Sequence, residues 1–399
     1  MKDVAHLLSH PAVLRARGHV ESRDAETVAL QAELSAIPAP TGNEGARAKR
    51  VAQAFAAAGL SDIATDPVGN VVGTWPARTS REAPVVVASH LDTVFPMEQD
   101  VRVTRTGARW LGPGITDNAR GLAANIVVAQ ALAHAGWRVE RPIVFAATVG
   151  EEGSGDLRGV KHLFHARRLA ANALIALDGA GLDRVVHRAL GARRLRVRYL
   201  GPGGHSWSAY GVANAAQAAA TFGALVPDQA RVGPPVVTAS VVGLRGGTSL
   251  NSIPAEAAVE VDLRSEAGDM LAEVEGAVRA AAHTALEAEN ARRRNGTPLL
   301  QLVIEVIGDR PAGVTPAGHP LVQTALAATR ALGTEPELAA SSTDANVPIA
   351  LGIPAIALGA GGVAGDTHRP TEWYENTDGS LGLVRVLLVL AAAAGVEGS

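Results

Sequence analysis

A chain of 399 residues with 47% hydrophobic residues has material for more than one core, so two domains are expected. Its 36 basic and 39 acidic residues leave a formal net charge of -3, and no dense Lys/Arg run is interleaved with aromatics. That balance argues against a nucleic-acid or anionic-membrane partner and leaves small molecules. With no cysteine in the chain, disulfides and thiolate metal sites are excluded, so any transition metal must be held by His, Asp and Glu.

The N-terminal stretch MKDVAHLLSHPAVLRARGHVESRD scatters charges through its apolar residues, and no run of 18 apolar residues occurs, so neither a secretory signal nor a membrane span is expected. A cytoplasmic protein is the resulting expectation. Short apolar runs follow: APVVVAS (83–89), RPIVFAATV (141–149), ANALIAL (171–177) and GIPAIALG (352–359). They alternate with Ala-rich segments of helical period such as 121–135. This is the βαβ pattern of an α/β fold, a mostly parallel sheet flanked by helices.

The pattern changes over residues 189–307. There ARRLRVRYLG, VVTASVVGLRGG and AAVEVDLRS read as alternating strands beside helical periods at 211–225 and 266–289. A smaller α+β domain over 189–307, inserted into a discontinuous larger domain of 1–188 plus 308–399, is therefore expected. The last helix, in TDGSLGLVRVLLVLAAAAG, has Asp378 and Ser380 as candidate N-caps.

Chemistry-bearing residues gather after the buried runs. VVVASHLDTV ends in His90 and Asp92, two apart and so on one side of an extended chain. The loop LGPGITDN brings Asp117 to the start of a helix, where its ordinary role is an N-cap and its other role is to bridge two cations. VGEEGSG carries Glu152, LDGAG carries Asp178, which reads equally as a turn residue, and the Gly-rich loop GAGGVAGDTH after the fourth apolar run carries His368, which reads equally as a solvated loop histidine. Each residue follows a buried strand or opens the next helix, so all five converge on one edge of the sheet, where open α/β folds bind ligands. Two imidazoles and three carboxylates exceed one tetrahedral ion and suit two zinc ions sharing a carboxylate.

Rival motifs are missing: there is no H-E-x-x-H, no G-x-S-x-G and no G-x-x-x-x-G-K-[ST]. His162 and His165, in VKHLFHARR, stand among basic residues and read as a solvated helix face.

Taken together, SHLDTV, GPGITDN, VGEEGSGDLRG, LDGAG, GPGGHSW, TSLNSIP followed by VDLRS, and GDTHRPTEW resemble the di-zinc metallopeptidase family. That family includes carboxypeptidase G, aminoacylase, succinyl-diaminopimelate desuccinylase, acetylornithine deacetylase and peptidase T. The resemblance implies that Asp117 bridges two metals, that His90 and Asp178 complete one site, and that Glu152 and His368 complete the other. It implies further that Asp92 orients His90 and that Glu151 is the general base. The inserted segment resembles the family's lid, which commonly also forms a homodimer interface. His205 would stabilise an oxyanion, and Asn251 and Arg264 would hold the substrate's carboxylate or backbone. The Asp117 loop departs from many relatives in carrying Thr116, Asn118 and Arg120 where they carry a second acid or a Lys.

The implied reaction is metal-assisted hydrolysis of an amide bond, with zinc expected and cobalt or manganese compatible. VIEVIGDRPAG, SSTDANVPIALGIPAI and HRPTEWYE resemble the tripeptidase-like and carboxypeptidase-like branches, which favours short peptides, or N-acyl amino acids with a free carboxylate. A serine hydrolase using Ser206 or Ser208 beside His205, and a non-catalytic peptide-binding protein, are the readings from other classes. The first lacks a nucleophile elbow. The second would be expected to have lost Glu151 or a ligand.

Overall fold

The structure, a computed structural model, describes residues 4–77, 82–166 and 169–397. The chain forms two compact units, Met1–Ala189 with Val314–Ser399, and Leu190–Gly313.

In the first unit the four apolar runs become the strands Val85–His90, Ile143–Thr148, Ala173–Leu177 and Ala355–Leu358. They are mutually parallel and lie side by side, in the order Ile143–Thr148, Val85–His90, Ala173–Leu177, Ala355–Leu358. The hairpin Ser61–Thr65 and Val71–Trp75 extends the sheet antiparallel on one side. Arg184–Ala189 pairs antiparallel with Ala355–Leu358 on the other and carries Glu337–Ser341 beside it.

The runs are continuously apolar because both faces are covered. Val85 and Val87 point into a core shared with the helices Ala119–Ala135 and Gly379–Ala394, while Val86 and Ala88 point into a second core with Leu157, Val160, Phe164 and Val347. Period-two alternation thus feeds both layers. Each fully buried Val or Leu contributes about 1.5–3 kcal/mol through burial. Ala119–Ala135 is buried almost all round, since it lies between the sheet and further helices, and it ends on Gly136 in the left-handed conformation.

Two sequence expectations change here. The final helix is Gly379–Ala394, and Asp378 stands at its N-cap position as expected but makes no side-chain cap bond, while Ser380 lies inside the helix. His162 is half-buried, its Nε2 3.8 Å from Asp66 Oδ2, because the turn His162–Ala166 buries Leu163 and Phe164; His165 is exposed as expected.

The second unit is an antiparallel sheet in the order Val237–Gly246, Glu256–Ser265, Gly191–Leu200, Gln301–Arg310. The helices Ala215–Leu225 and Gly268–Arg292 cover one face, packing Phe222, Val274 and Val278 on Leu195, Val197, Val259 and Val261. The other face carries cross-strand ion pairs, Arg194 with Asp262 at 3.0 Å and Arg196 with Glu260 at 2.8 Å. Gln301–Arg310 goes beyond the expected three strands. It pairs with Gly191–Leu200 through to Arg310, its last residue, and the second unit runs on to Gly313.

Among the described residues, no helix is long and apolar enough to cross a membrane.

Candidate metal centre

The four parallel strands of the first unit all end at the same sheet edge; His90, Glu152 and Asp178 stand at or just beyond the ends of three of them, and His368 comes from the loop beyond the fourth. His90 is the last residue of its strand and is buried. Its Nδ1 lies 3.1 Å from the Asp92 carbonyl oxygen and 3.5 Å from Asp92 Oδ1, which turns Nε2 toward Asp117 Oδ1 at 2.9 Å and Asp178 Oδ1 at 3.8 Å.

The Asp92 carboxylate does something the sequence reading did not contain. Its two oxygens accept the backbone N–H groups of Glu151 and Glu152, each at 2.9 Å, and the Thr41 hydroxyl at 2.8 Å. Asp92 therefore fixes the Glu151-Glu152 turn as much as the His90 ring. Gly150, at φ 63°, makes that turn, and its N–H donates to the buried Glu44, which also accepts Arg158. Both acids are buried, and Glu152 Oε1 stands 2.9 Å from His368 Nε2.

Asp117 is released from the capping role open to it. The N-cap of Ala119–Ala135 is Asn118, whose Oδ1 accepts Gly121 N–H at 3.0 Å and Gly179 N–H at 3.2 Å while its amide donates to the Leu177 carbonyl. Asp117 can then turn one oxygen to each histidine: Oδ1 toward His90, and Oδ2 to His368 Nε2 at 3.0 Å. Although Oδ1 is 2.9 Å from His90 Nε2, the approach lacks hydrogen-bond geometry, and this buried oxygen has no hydrogen-bond partner among the described residues. His368 lies between the short strands Val363–Gly365 and Trp373–Glu375, in the left-handed conformation at φ 66°. Pairing of Trp373–Glu375 with Arg109–Leu111 holds that loop.

Sequence reasoning missed several supports. Glu372, inside the GDTHRPTEW motif, is fully buried and accepts the N–H groups of Thr116 at 2.8 Å, Asp117 at 3.0 Å and Gly114 at 3.2 Å, and also the Thr116 hydroxyl. Burial pushes its carboxyl up against those hydrogen bonds. The signal was an acid four residues after His368, too generic to single out. Arg120 and Arg385, both buried, donate to the carbonyls of Ala360 and Gly359 and so brace the turn that leads to the His368 loop. Asp344, from SSTDANVP, accepts the Thr148 hydroxyl at 2.5 Å, and burial pushes its carboxyl up to about 6. Glu372→Ala is expected to leave three backbone N–H donors and the Thr116 hydroxyl unmatched and to destabilise the fold by about 3 kcal/mol or more. Glu372→Gln, which keeps an acceptor, should lose less than half of that. Thermal unfolding of the two variants checks the ranking.

The electrostatics follow from the carboxylates. Burial by itself lowers the His90 ring, but Asp117, Asp178 and Asp92 outweigh it and hold the ring well above its ordinary value. Asp117 and Glu152 raise His368 to about 10. Burial would raise Asp117, yet His368 and His90 hold it well below the usual carboxylate range. Donor atoms of His90, Asp117 and Glu152 all lie within 4.8 Å of one another. Two imidazole nitrogens and the oxygens of Asp117, Glu152 and Asp178 facing one spot form a donor set that fits divalent ions accepting N and O ligands.

The sequence pattern of peptidase family M20/M25/M40 matches residues 86–392. The chain belongs to this family. Membership makes it a metal-dependent hydrolase of the M20 peptidases. No curated protein sequence matches the chain. Solved structures with the same fold include aminopeptidase PepT from Bacillus cereus, at 23% identity and TM-score 0.73, covering 92% of this chain and 98% of that one. A tripeptidase from Staphylococcus aureus gives 23% identity and TM-score 0.75 over 92% of this chain and 98% of that one. The di-peptidase Dug1p from Saccharomyces cerevisiae gives 15% identity and TM-score 0.72 over 96% and 99%.

In the second unit of this M20 chain, His205 and Asn251 are brought together by the short pairing of Gly204–His205 with Ser252–Ile253. Arg264 lies on the strand Glu256–Ser265, ion-paired with Asp262 at 2.7 Å.

Proposed function

We propose that this chain hydrolyses an amide bond in short peptides, using two divalent ions, zinc in the first instance. The observation that carries the reading is Asp117, whose two carboxylate oxygens face two different histidines. Asp117 would be shared between the ions, with His90 and Asp178 on one and Glu152 and His368 on the other. When bound, such ions lower the pKa of water and polarise a carbonyl. Glu151 takes the proton from the attacking water and passes it to the leaving amine. His205 donates to the oxyanion, and Asn251 and Arg264 hold the substrate's carboxylate or backbone, Arg264 exchanging its Asp262 contact for that task. A homodimer through the second unit fits its edge strand Val237–Gly246, which exposes Val242 and Leu244.

Mass-spectrometric screening of di- and tripeptides against N-acetyl and N-succinyl amino acids, with zinc-loaded and chelated protein, tests the reading. Peptides are expected to turn over. Deacylation alone would move the assignment to an N-acyl amino acid deacylase on the same residues, and turnover that survives complete metal removal would sink it. Loading carries its own signature. His368 titrates at about 10 and His90 well above 6.5, so at pH 7 both rings hold protons that ligation must displace. Zinc binding to the chelated protein should therefore release protons and tighten as pH rises through neutrality. Calorimetry in buffers of different ionisation enthalpy reads this directly, and binding without proton release contradicts the ligand set.

A further inference from the structure

Beside His205 the second unit displays apolar side chains that its own core does not use. Trp207 is 86% exposed and Leu250 108%, whereas Trp137 is 3% exposed. Large exposed apolar groups are costly in water and mark contact surfaces when they cluster. These two flank one short backbone pairing. His205 pairs with Ser252, Ser206 N–H donates to the Asn251 carbonyl at 2.9 Å, and Trp207 and Leu250 follow directly at the end of that pairing.

The platform is ordered. Ala209 N–H returns to the His205 carbonyl at 2.9 Å and Tyr210 N–H to the Trp207 carbonyl at 3.2 Å. Gly204, at φ 144°, permits the close approach, since a Cβ there would sit 2.6 Å from Ala209 Cβ. The polar groups between the apolar ones are set as donors. His205 Nδ1 accepts the N–H groups of Trp207 at 3.2 Å and Ser208 at 3.4 Å, which leaves Nε2 as the ring's donor. Asn251 Oδ1 accepts the Ser249 hydroxyl at 2.6 Å, leaving its NH2 to donate. Two donors flanked in sequence by an indole and a leucine match a molecule that offers a carbonyl or carboxylate oxygen next to a large apolar side chain.

We propose that Trp207 and Leu250 form an apolar clamp that makes this enzyme selective for substrates with a bulky aromatic or aliphatic side chain beside the oxygen held by His205 and Asn251. The inference rests on the peptidase reading above and names its substrate class. Trp207 supplies a rigid face with few rotatable bonds, so the ordering cost of the contact is low.

The test compares kcat/KM for tripeptides differing in one residue, Ala, Leu or Phe, in wild type, Trp207→Ala, Leu250→Ala and Trp207→Phe. Wild type should prefer Phe over Ala by roughly tenfold or more. Trp207→Ala should erase most of that preference through KM while changing the Ala peptide by less than about twofold, and Trp207→Phe should restore it. An equal loss on all substrates overturns the clamp, as does a shift to lower mass in sedimentation, which would assign the patch to a second copy. Binding of N-acetylphenylalanine against N-acetylalanine, by calorimetry on chelated protein, separates the two levels. If no peptide is hydrolysed but Trp207→Ala still loses the Phe preference in binding, the peptidase reading fails and the clamp stands. Equal binding of both ligands by wild type overturns the clamp whatever the turnover.

Discussion

Glu151→Gln is expected to lower kcat by roughly 10²- to 10⁴-fold, the contribution of a positioned general base, while bound metal and thermal stability stay at wild-type levels. The expectation comes from how one residue, Asp92, holds two adjacent acids. Its carboxylate takes the N–H of Glu151 on Oδ1 and that of Glu152 on Oδ2, so the turn is fixed at both peptides. Neighbouring side chains then diverge, and the structure shows where one of them goes: Glu152 Oε1 reaches His368 at 2.9 Å. A second like charge next to it is tolerable because the site gathers cationic partners, the same reason that holds the Asp117 carboxyl low. Glutamine keeps the shape of Glu151 and removes its capacity to take a proton. Metal analysis alongside single-turnover kinetics distinguishes base from ligand: if the variant loses metal in proportion to activity, Glu151 is a ligand and the division between the two acids is wrong. Glu152→Gln is the control that should lose metal.

The parts of this centre that could be read from the chain are those encoded next to a strong local signal. His90, Glu152 and Asp178 each follow a run of buried β-branched or small apolar residues, and such runs announce parallel strands whose carboxyl ends meet. What could not be read depends on contacts distant in sequence or on conformations that no composition signals. Glu372 braces the Asp117 loop across more than 250 positions, through backbone donors that have no side-chain identity. The capping of Ala119–Ala135 is divided between adjacent Asp117 and Asn118, which have nearly equal N-cap preference. Only the fold decides, because Asn118 alone can also donate to the Leu177 carbonyl, a bond that a carboxylate cannot make. The left-handed backbone of His368 is likewise set by the strands on either side of its loop. In the second unit, the alternation of the strand Gln301–Arg310 is blurred because a run of its residues, 302–305, is half-buried on both faces, so its pairing partner, not its pattern, defines it.

Asp117→Asn should have the other large effect, on the metals themselves. The substitution keeps volume but replaces one anionic oxygen with an NH2 that cannot ligate, facing either His90 or His368. Asparagine also cannot take a full charge between two cations. Loss of at least one equivalent of bound metal is expected, with affinity for the remainder falling by roughly 100-fold or more, beyond the 10- to 100-fold typical of residues that only support ligands. Turnover should fall with it. A readout independent of metal comes from the chelated protein. The contact with Asp117 is the largest cause raising His368 to about 10, ahead of Glu152, so in Asp117→Asn the ring should titrate closer to its ordinary 6.5 when followed by NMR. The stability linkage has a definite sign. A histidine raised in the folded state stabilises fully below pH 6.5, and that contribution is lost as pH climbs through its folded value near 10. Chelated wild type should thus become less stable between pH 7 and 10, and Asp117→Asn should show a flatter profile. If the variant keeps two metals at wild-type affinity, Asp117 does not bridge. If His368 still titrates near 10 in it, Glu152 alone stabilises the imidazolium by accepting its N–H, and the pairing seen between Asp117 Oδ2 and His368 does not govern the site.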